Sequence, residues 1–280
     1  MLESEFAALI RRNVSNSFDE DIGTGDLSAQ LIPATQRSSA QVITRQNGVL
    51  CGAPWFDACF LTLDPDCTID WLARDGDQIT AGQMLCKVSG NARALLGAER
   101  NALNFLQTLS GTATRARRHV DEVAGINVKI MDTRKTLPGL RQAQKYAVRI
   151  GGGHNQRIGL YDGILIKENH IAAAGGIKPV LEQAFRLAKP GISVQIEVES
   201  LAQLDEALAA GAKLILLDNF DLDNLRAAVQ HTGRRAELEA SGGITLENLR
   251  EIALTGVGRI SIGSLTKDLE TIDLSMRFSA

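Results

Sequence analysis

Residues 194–218, VQIEVESLAQLDEALAAGAKLILLD, contain the pattern that decides the fold. The alternation of apolar and polar residues from Val194 to Val198 predicts a strand, and the pattern from Leu201 to Ala210 predicts a helix. Leu214 to Leu217 then predicts a second strand. Such a connection joins parallel strands. The stretch therefore predicts a βα unit of a parallel sheet with its helix outside.

The same alternation of strand, polar turn and helix begins near residue 126 and continues after this stretch. Further strands are predicted at Val128 to Met131, Gly163 to Ile166, Ala236 to Ala240 and Arg259 to Ile262, and further helices at Leu222 to His231 and Leu246 to Thr255. No GxGxxG motif opens the first unit, which argues against an open dinucleotide-binding sheet. We expect an α/β protein in which residues 111–280 form a closed or nearly closed, TIM-like βα barrel that carries the catalytic site.

Residues 1–110 show short alternating segments in place of βα units. These predict strands at Ala40 to Arg45, Val49 to Cys51, Thr68 to Leu72 and Met84 to Val88. An amphipathic helix is predicted before them at Phe6 to Asn13, and a long helix after them at about Ala92 to Val123. We expect an N-terminal α+β domain built on an open antiparallel sheet.

The composition is that of a globular protein. The chain has 280 residues, of which 44% are hydrophobic and 22% charged, and this excludes disordered, collagen-like and coiled-coil classes. With 30 Lys and Arg against 33 Asp and Glu, the net charge is −3. We therefore expect neither a nucleic-acid nor a membrane partner.

The expected location is the cytoplasm. The opening Met1 to Glu5 is acidic where a secretory signal would be basic, and no apolar run approaches the roughly 20 residues of a membrane helix. The four cysteines lie in the N-terminal third with no CxxC spacing. We expect them to be buried reduced thiols and not zinc ligands.

Two glycine-containing turns follow successive late strands, at the barrel edge where active sites form. They are Ser241-Gly242-Gly243 and Ile262-Gly263-Ser264. Glycine lets backbone N–H groups approach an anion closely, and a following helix N-terminus adds partial positive charge. Ordinary tight turns would use the same residues, but two of them on adjacent strands favour a phosphate-binding site.

Charged side chains follow the earlier strands. The cations are Arg134, Lys135, Arg157 and Lys167. Arginine binds a carboxylate through two N–H groups, and lysine supplies a mobile charge for phosphate or a second carboxylate. These residues favour an anionic ligand over a solvated basic rim. By contrast, Arg141, Lys145 and Arg149 are spaced four apart and predict one solvated helix face.

Glu197 and Asp218 lie on consecutive strands with apolar flanks, and we expect both to face the same mouth of the barrel. They fit a general acid and base, or ligands of Mg²⁺ and acceptors for ribose hydroxyls. The second role is favoured because the cations and glycine turns indicate a highly anionic ligand.

Five long segments, in order along the chain, closely resemble the quinolinate phosphoribosyltransferase family. They are Gly97 to Leu106, Asp132 to Arg141, Gly151 to Asp162, Leu165 to His170 and Glu239 to Ile244. The resemblance implies an enzyme of NAD biosynthesis that converts quinolinate and 5-phosphoribosyl 1-diphosphate, with Mg²⁺, into nicotinate mononucleotide, pyrophosphate and CO₂. It also implies a homodimer with shared active sites and leaves higher assembly open. In this family an N-terminal sheet domain is followed by a C-terminal βα barrel that is incomplete, and the resemblance implies the same TIM-like, incomplete barrel here.

The resemblance also assigns roles to residues. Quinolinate would be held by Thr133, Arg134, Lys135 and Arg157, together with Arg100 reaching in from the partner subunit. Lys167, Glu197 and Asp218 would meet the phosphoribosyl group and the metal. The turns Ser241-Gly242-Gly243 and Ile262-Gly263-Ser264 would bind phosphate.

One residue departs from the family pattern. The family usually has histidine immediately before the arginine at Arg157, and this chain has Gln156 there. Glutamine can donate a hydrogen bond to a carboxylate but carries no charge. His154, two residues earlier, is a candidate substitute.

Two other functions compete with this reading. A related phosphoribosyltransferase would act on nicotinate or another pyridine acid, but four cations of carboxylate-binding type favour a dicarboxylate. A metabolite-sensing protein without catalysis would be expected to lack Glu197, Asp218 or Lys167, and all three are present.

Overall fold

The computed structural model describes residues 3–278, which form two compact units. The first unit contains the described residues up to Arg117, residues 137–152 and the described residues from Asp268 onward. The second unit contains residues 118–136 and 153–267. The predicted boundary between residues 110 and 111 falls inside a helix that spans Ala92–Glu122, and it stays a prediction.

The first unit is built on a four-stranded antiparallel sheet. Its strands, in spatial order, are β12 (Leu274–Phe278), β1 (Arg37–Thr44), β5 (Met84–Asn91) and β3 (Thr68–Trp71), and a separate pair joins β2 (Gly48–Val49) to β4 (Gln78–Ile79). Its helices are α1 (Glu3–Asp21), α2 (Ala53–Leu63), α3 (Ala92–Glu122) and α4 (Arg141–Ile150), with a 3₁₀ turn at Ala29–Leu31. The predicted open antiparallel sheet is confirmed.

The core of the first unit is rich in aromatic and aliphatic side chains. Trp55, Phe56 and Phe60 of α2 are at most 1% exposed, and Leu103 and Leu106 of α3 are at most 2% exposed. Close packing of side chains this large contributes about 1.5 to 3 kcal/mol for each one fully buried. The four cysteines are free and buried, as predicted.

The second unit is a six-stranded parallel sheet. In spatial order its strands are β6 (Lys129–Met131), β11 (Arg259–Ser261), β10 (Glu237–Ser241), β9 (Leu214–Asp218), β8 (Ser193–Val198) and β7 (Gly163–Ile166). Its helices are α5 (Glu168–Ala174), α6 (Ile177–Leu187), α7 (Leu201–Ala209), α8 (Leu222–Thr232), α9 (Leu246–Ala253) and α10 (Ser264–Lys267).

This strand order is that of a barrel with one missing pairing. The last strand, β11, lies beside the first, β6, whereas β6 and β7 form the two edges. The free edge of β6 is partly covered by the segment at His154, which forms a parallel bridge with Met131. An incomplete βα barrel was predicted, and the carboxyl ends of its parallel strands share one edge.

Polar residues at the ends of the barrel strands start the helices that follow. Ser200 Oγ accepts a hydrogen bond from the backbone N–H of Gln203 at 3.2 Å, and Asp221 Oδ1 accepts one from Asn224 at 2.8 Å. Each bond satisfies a backbone donor that the first turn of a helix leaves without a partner. These caps fix where α7 and α8 begin, and so how β8 and β9 end.

Local predictions need correction at several places, and some elements were not predicted. The opening helix covers all of α1 and not only Phe6 to Asn13, and neither α2 nor β12 was predicted. The solvated face expected for Arg141, Lys145 and Arg149 is wrong for Lys145, which is 2% exposed. The reason is that α4 is covered on more than one side, since five of its ten residues are buried.

No helix within residues 3–278 combines the length and the low polarity needed to cross a membrane.

Candidate active site

The carboxyl ends of β7 and β8 bring two predicted site residues into direct contact. Lys167 follows β7 directly, and Glu197 lies next to the last residue of β8. The strands are neighbours with Ile166 opposite Ile196. Lys167 Nζ therefore lies 2.6 Å from one oxygen of Glu197 and 2.9 Å from the other. The lysine side chain is 45% exposed and the glutamate 9%, so the ammonium lies at the surface of the mouth with the carboxylate beneath it.

The next two strands bring a carboxylate and a glycine turn together. Asp218 ends β9 opposite Ser241, which ends β10. Asn219 follows Asp218 with φ of 56°, and among residues 3–278 it is the one residue other than glycine at positive φ. Its Nδ2 donates to Asp218 Oδ2 at 2.8 Å, and its backbone N–H donates to the carbonyl of Ser241 at 2.9 Å. Backbone strain of this kind is frequent at functional sites.

Gly242 is required by this arrangement. Its φ is 94°, and a Cβ at this position would overlap the side-chain amide of Asn219. Gly243, with φ of 58°, continues the turn. Both glycines leave the backbone open to a ligand, as expected for a phosphate-binding turn.

The second glycine turn lies against the loop after β6. A Cβ on Gly263 would be 3.0 Å from Lys135 Cδ and 3.8 Å from both Lys135 Nζ and Thr133 Oγ1. The predicted phosphate turn and two residues predicted to bind quinolinate thus share one part of the barrel. Ile262 is buried and Ser264 begins α10.

Arg134 and Arg157 form a pair of like charges. Burial lowers the pKa of the Arg157 guanidinium, and the positive charge of Arg134 lowers it further, while Asp162 acts in the opposite direction. Arg157 Nη1 donates to the carbonyl of Gly163 at 2.9 Å, which fixes the direction of its side chain. The two like charges repel each other, and a bound anion would relieve that repulsion.

Residues that were not predicted as site residues form a buried polar network in the same barrel as Arg134 and Arg157. Glu239 is 1% exposed and Gln195 is 5% exposed, and Gln195 Nε2 donates to Glu239 Oε2 at 3.1 Å. Burial raises the pKa of Glu239, whereas hydrogen bonds from Gln195, Gln156 and Ser261 lower it. The signal available in the sequence was a polar side chain two residues before a predicted site residue on the same strand, since i and i+2 share a face.

The segment before Arg157 contains His154 and Gln156. The side chain of His154 is exposed. Gln156 is half-buried, and its Nε2 lies 2.6 Å from both carboxylate oxygens of Glu239. The structure therefore directs the Gln156 amide towards the barrel interior.

Arg100 belongs to the first unit and is exposed on α3. It lines a cavity of about 380 Å³ in that unit, together with Asn104, Glu20 and Pro138. Within the first unit no other residue of the predicted site accompanies it among the described residues.

Family models match both the N-terminal and the C-terminal part of the chain. A family model described as Quinolinate phosphoribosyl transferase, N-terminal domain, matches residues 24–110, and one described as Quinolinate phosphoribosyl transferase, C-terminal domain, matches residues 112–277. The chain belongs to the quinolinate phosphoribosyltransferase family. The resemblance described from sequence motifs is confirmed, and the two models of this family cover most of the chain.

Individual members of the quinolinate phosphoribosyltransferase family match over nearly the whole length. A Mycobacterium leprae protein named nicotinate-nucleotide pyrophosphorylase (carboxylating) is 42% identical over 284 residues, covering 98% of both chains. A Bacillus subtilis relative is 43% identical over 267 residues, which is 95% of this chain and 92% of that protein. The solved structure of the nicotinate-nucleotide pyrophosphorylase from Francisella tularensis superposes with a TM-score of 0.94 at 42% identity, over 98% of this chain and 97% of that chain.

Proposed function

We propose that the barrel mouth binds quinolinate and 5-phosphoribosyl 1-diphosphate and joins them to give nicotinate mononucleotide, pyrophosphate and CO₂. Family membership places the chain among the phosphoribosyltransferases of NAD biosynthesis. The observation that carries the residue assignment is the position of Gly263 against Lys135 and Thr133, in a mouth where the charge of Arg134 also acts on Arg157. A dianion with two adjacent carboxylates would balance both charges through paired N–H···O bonds.

The quinolinate subsite would use the cations and one hydroxyl near β6 and the segment before β7. Its members are Thr133, Arg134, Lys135 and Arg157, with Arg100 supplied by the partner subunit. Each charge-assisted bond to a carboxylate contributes about 1.5 to 3 kcal/mol. A homodimer with shared active sites is part of this proposal, because Arg100 lies in the unit that lacks the other members.

The phosphoribosyl subsite would use the ends of β7 to β11. Glu197 and Asp218 would accept hydrogen bonds from ribose hydroxyls, and Lys167, held by Glu197, would face the diphosphate. The turns Ser241-Gly242-Gly243 and Ile262-Gly263-Ser264 would donate backbone N–H groups to the 5-phosphate. This division fits the contact between Lys167 and Glu197, which leaves the lysine partly exposed towards the mouth.

The residues fit Mg²⁺ that arrives with its substrate. Within residues 3–278 there is no cluster of three or more His, Cys, Asp or Glu side chains able to hold a metal. Mg²⁺ commonly uses one or two protein carboxylates together with substrate phosphates. Glu197 and Asp218, on adjacent strands, meet that requirement directly or through water. Bound in this way, the ion would neutralise charge that develops on the leaving diphosphate.

The first chemical step needs positioning and charge stabilisation. The pyridine nitrogen attacks the anomeric carbon with its own lone pair, the bond to pyrophosphate breaks, and both electrons leave with pyrophosphate. Because no proton has to be removed, no strong general base is required. The carboxylates would stabilise the positive charge on the ribose, and Lys167 the negative charge on the leaving group.

The second step is loss of the 2-carboxylate as CO₂. The electron pair left on carbon 2 is stabilised by the new pyridinium charge, and carbon 2 then takes a proton from solvent. The arginines would hold the remaining carboxylate so that the ring stays in place.

A cytoplasmic location is also proposed, since four buried free thiols fit a reducing compartment.

A product assay with two acceptors tests this proposal. The purified protein is incubated with 5-phosphoribosyl 1-diphosphate, Mg²⁺ and either quinolinate or nicotinate, and the products are separated by chromatography. We expect nicotinate mononucleotide from quinolinate and little or none from nicotinate. Equal turnover of nicotinate would assign the chain to the competing class of phosphoribosyltransferase.

A further inference from the structure

A buried carboxylate holds the side chain next to Arg157. Gln156 Nε2 lies 2.6 Å from both oxygens of Glu239 and 3.3 Å from Gln195 Oε1. A side-chain amide nitrogen carries two N–H groups. Both are therefore directed to acceptors inside the barrel and away from a ligand at its mouth. Gln156 acts in the protein as a link between the barrel strands and the segment that carries Arg157.

Three consecutive residues of that segment are anchored in the same way. Asn155 Nδ2 donates to Asp132 Oδ2 at 2.5 Å, and the backbone N–H of Gln156 donates to Asp132 Oδ1 at 2.8 Å. Arg157 Nη1 donates to the carbonyl of Gly163 at 2.9 Å. Of the two anchoring carboxylates, Asp132 fixes backbone and amide, whereas Glu239 fixes the side chain of Gln156.

These anchors oppose a repulsive force. The charge of Arg134 lowers the pKa of Arg157, so the two like charges repel each other. Without substrate, repulsion favours a movement of Arg157 away from Arg134. Anchoring bonds that hold the segment in place keep both arginines ready for one ligand, and such preorganisation lowers the free energy lost on binding.

We propose that Glu239 is a positioning residue, which holds Gln156 and thereby keeps Arg157 beside Arg134 for binding of the pyridine dicarboxylate. This inference rests on the proposed function, because it takes Arg157 as a ligand of quinolinate. The carboxylate of Glu239 is needed because both of its oxygens accept from the Gln156 amide. A glutamine at 239 would present an N–H₂ group to the N–H₂ group of Gln156, and one acceptor would be lost.

Glu239→Gln is the test variant, and Glu237→Gln is its matched control. Both changes turn a carboxylate of β10 into an amide, but Glu237 is the first residue of the strand and pairs with Arg259 and Lys129. The KM values for quinolinate and for 5-phosphoribosyl 1-diphosphate are measured separately. We expect Glu239→Gln to raise KM for quinolinate about tenfold, with KM for the diphosphate within about twofold, since one hydrogen bond contributes about that much. The control is expected to keep both values within twofold.

A second variant guards against misfolding of the first. Gln156→Met keeps the chain length of the side chain and removes its donors, so it should raise KM for quinolinate by a similar factor. The double variant should resemble either single variant, because both changes remove the same bond. A hundredfold rise in the double variant, an equal rise in both KM values, or a lower melting temperature with unchanged KM values would each overturn the proposal.

The wild-type protein in the same series separates this inference from the function itself. If wild type forms no nicotinate mononucleotide from quinolinate, the proposed function fails. If wild type forms it and Glu239→Gln has wild-type KM values, only the positioning role of Glu239 is refuted.

Discussion

Replacing Asp57 by asparagine should stabilise the first unit at neutral pH and have little effect at pH 4. Asp57 lies on α2, and its Oδ1 accepts a hydrogen bond from Trp71 Nε1 at 2.8 Å. Burial raises the pKa of Asp57 from 3.8 to about 6, and the nearby charge of Asp75 contributes to the rise, although the bond from Trp71 opposes it. Asparagine keeps the accepting oxygen and removes the charge.

The sign and size of the effect follow from linkage. Because the folded protein holds the proton more tightly, ionisation of Asp57 weakens the fold as pH rises from 3.8 through about 6. The full interval corresponds to about 3 kcal/mol at 1.36 kcal/mol per pH unit. Asp57 is only half-buried, and solvent screening reduces this to about 1 to 2 kcal/mol. Asp57→Asn should recover that amount at pH 7.5 and only about 0.3 kcal/mol at pH 4.

Tryptophan fluorescence during urea unfolding measures the change in stability caused by Asp57→Asn. The chain has two tryptophans, Trp55 and Trp71, and both lie in the first unit, so their emission reports on that unit. Unfolding midpoints are compared at pH 4 and pH 7.5. The control is Asp70→Asn, which changes an exposed carboxylate beside the same tryptophan. A variant that is no more stable than wild type at pH 7.5, or equally stabilised at both pH values, would refute the reasoning.

Three further predictions concern the barrel mouth and the proposed partner subunit. Arg134→Ala or Arg157→Ala should weaken quinolinate binding by about 1.5 to 3 kcal/mol and leave 5-phosphoribosyl 1-diphosphate binding nearly unchanged in calorimetric titrations; equal losses for both ligands would mean that the arginines are misassigned. Inactive Arg100→Ala and Lys167→Ala subunits, when mixed, should regain part of the activity, and mixed dimers without activity would contradict shared sites. Gln156→His should change quinolinate affinity by less than about tenfold between pH 5.5 and 8, because the side chain faces a buried carboxylate; a large gain confined to low pH would show that the missing charge matters.

The strands of the barrel and its helices α7, α8 and α9 could be predicted closely because each one repeats a local pattern. The strand predicted at Gly163 to Ile166 has the same bounds in the structure, and the one at Leu214 to Leu217 differs from β9 by one residue. Apolar runs bounded by polar turns carry this information within a few residues of the chain. The residues at strand ends could be predicted for the same reason.

Elements defined by distant contacts could not be predicted in this way. β12 pairs antiparallel with β1, and residue Met276 lies opposite Val42, a pairing that no local pattern contains. The sequence of α2, Ala53–Leu63, is apolar on most sides because aromatic residues and Cys59 of this helix fill the core. A helix without a polar face has no amphipathic period to detect.

In the site, too, the sequence predicted which residues are present but not the direction of their side chains. Sequence placed charges at strand ends, and Lys167 and Glu197 do meet there. Sequence could not give the direction of the Gln156 amide, which depends on Glu239, a residue 83 positions later in the chain. The predicted exposure of Lys145 was wrong for a similar reason, since a helical spacing of charges does not reveal which sides of the helix are covered.

Release of carbon dioxide from labelled quinolinate tests the central claim most directly. Quinolinate labelled at its 2-carboxylate is incubated with the purified protein, 5-phosphoribosyl 1-diphosphate and Mg²⁺, and labelled CO₂ and nicotinate mononucleotide are counted in the same samples. We predict equal amounts of the two products, and none of either when the diphosphate is omitted. Labelled CO₂ without nucleotide, nucleotide that retains the label, or no product at all would contradict the assignment of this barrel mouth to quinolinate phosphoribosyl transfer.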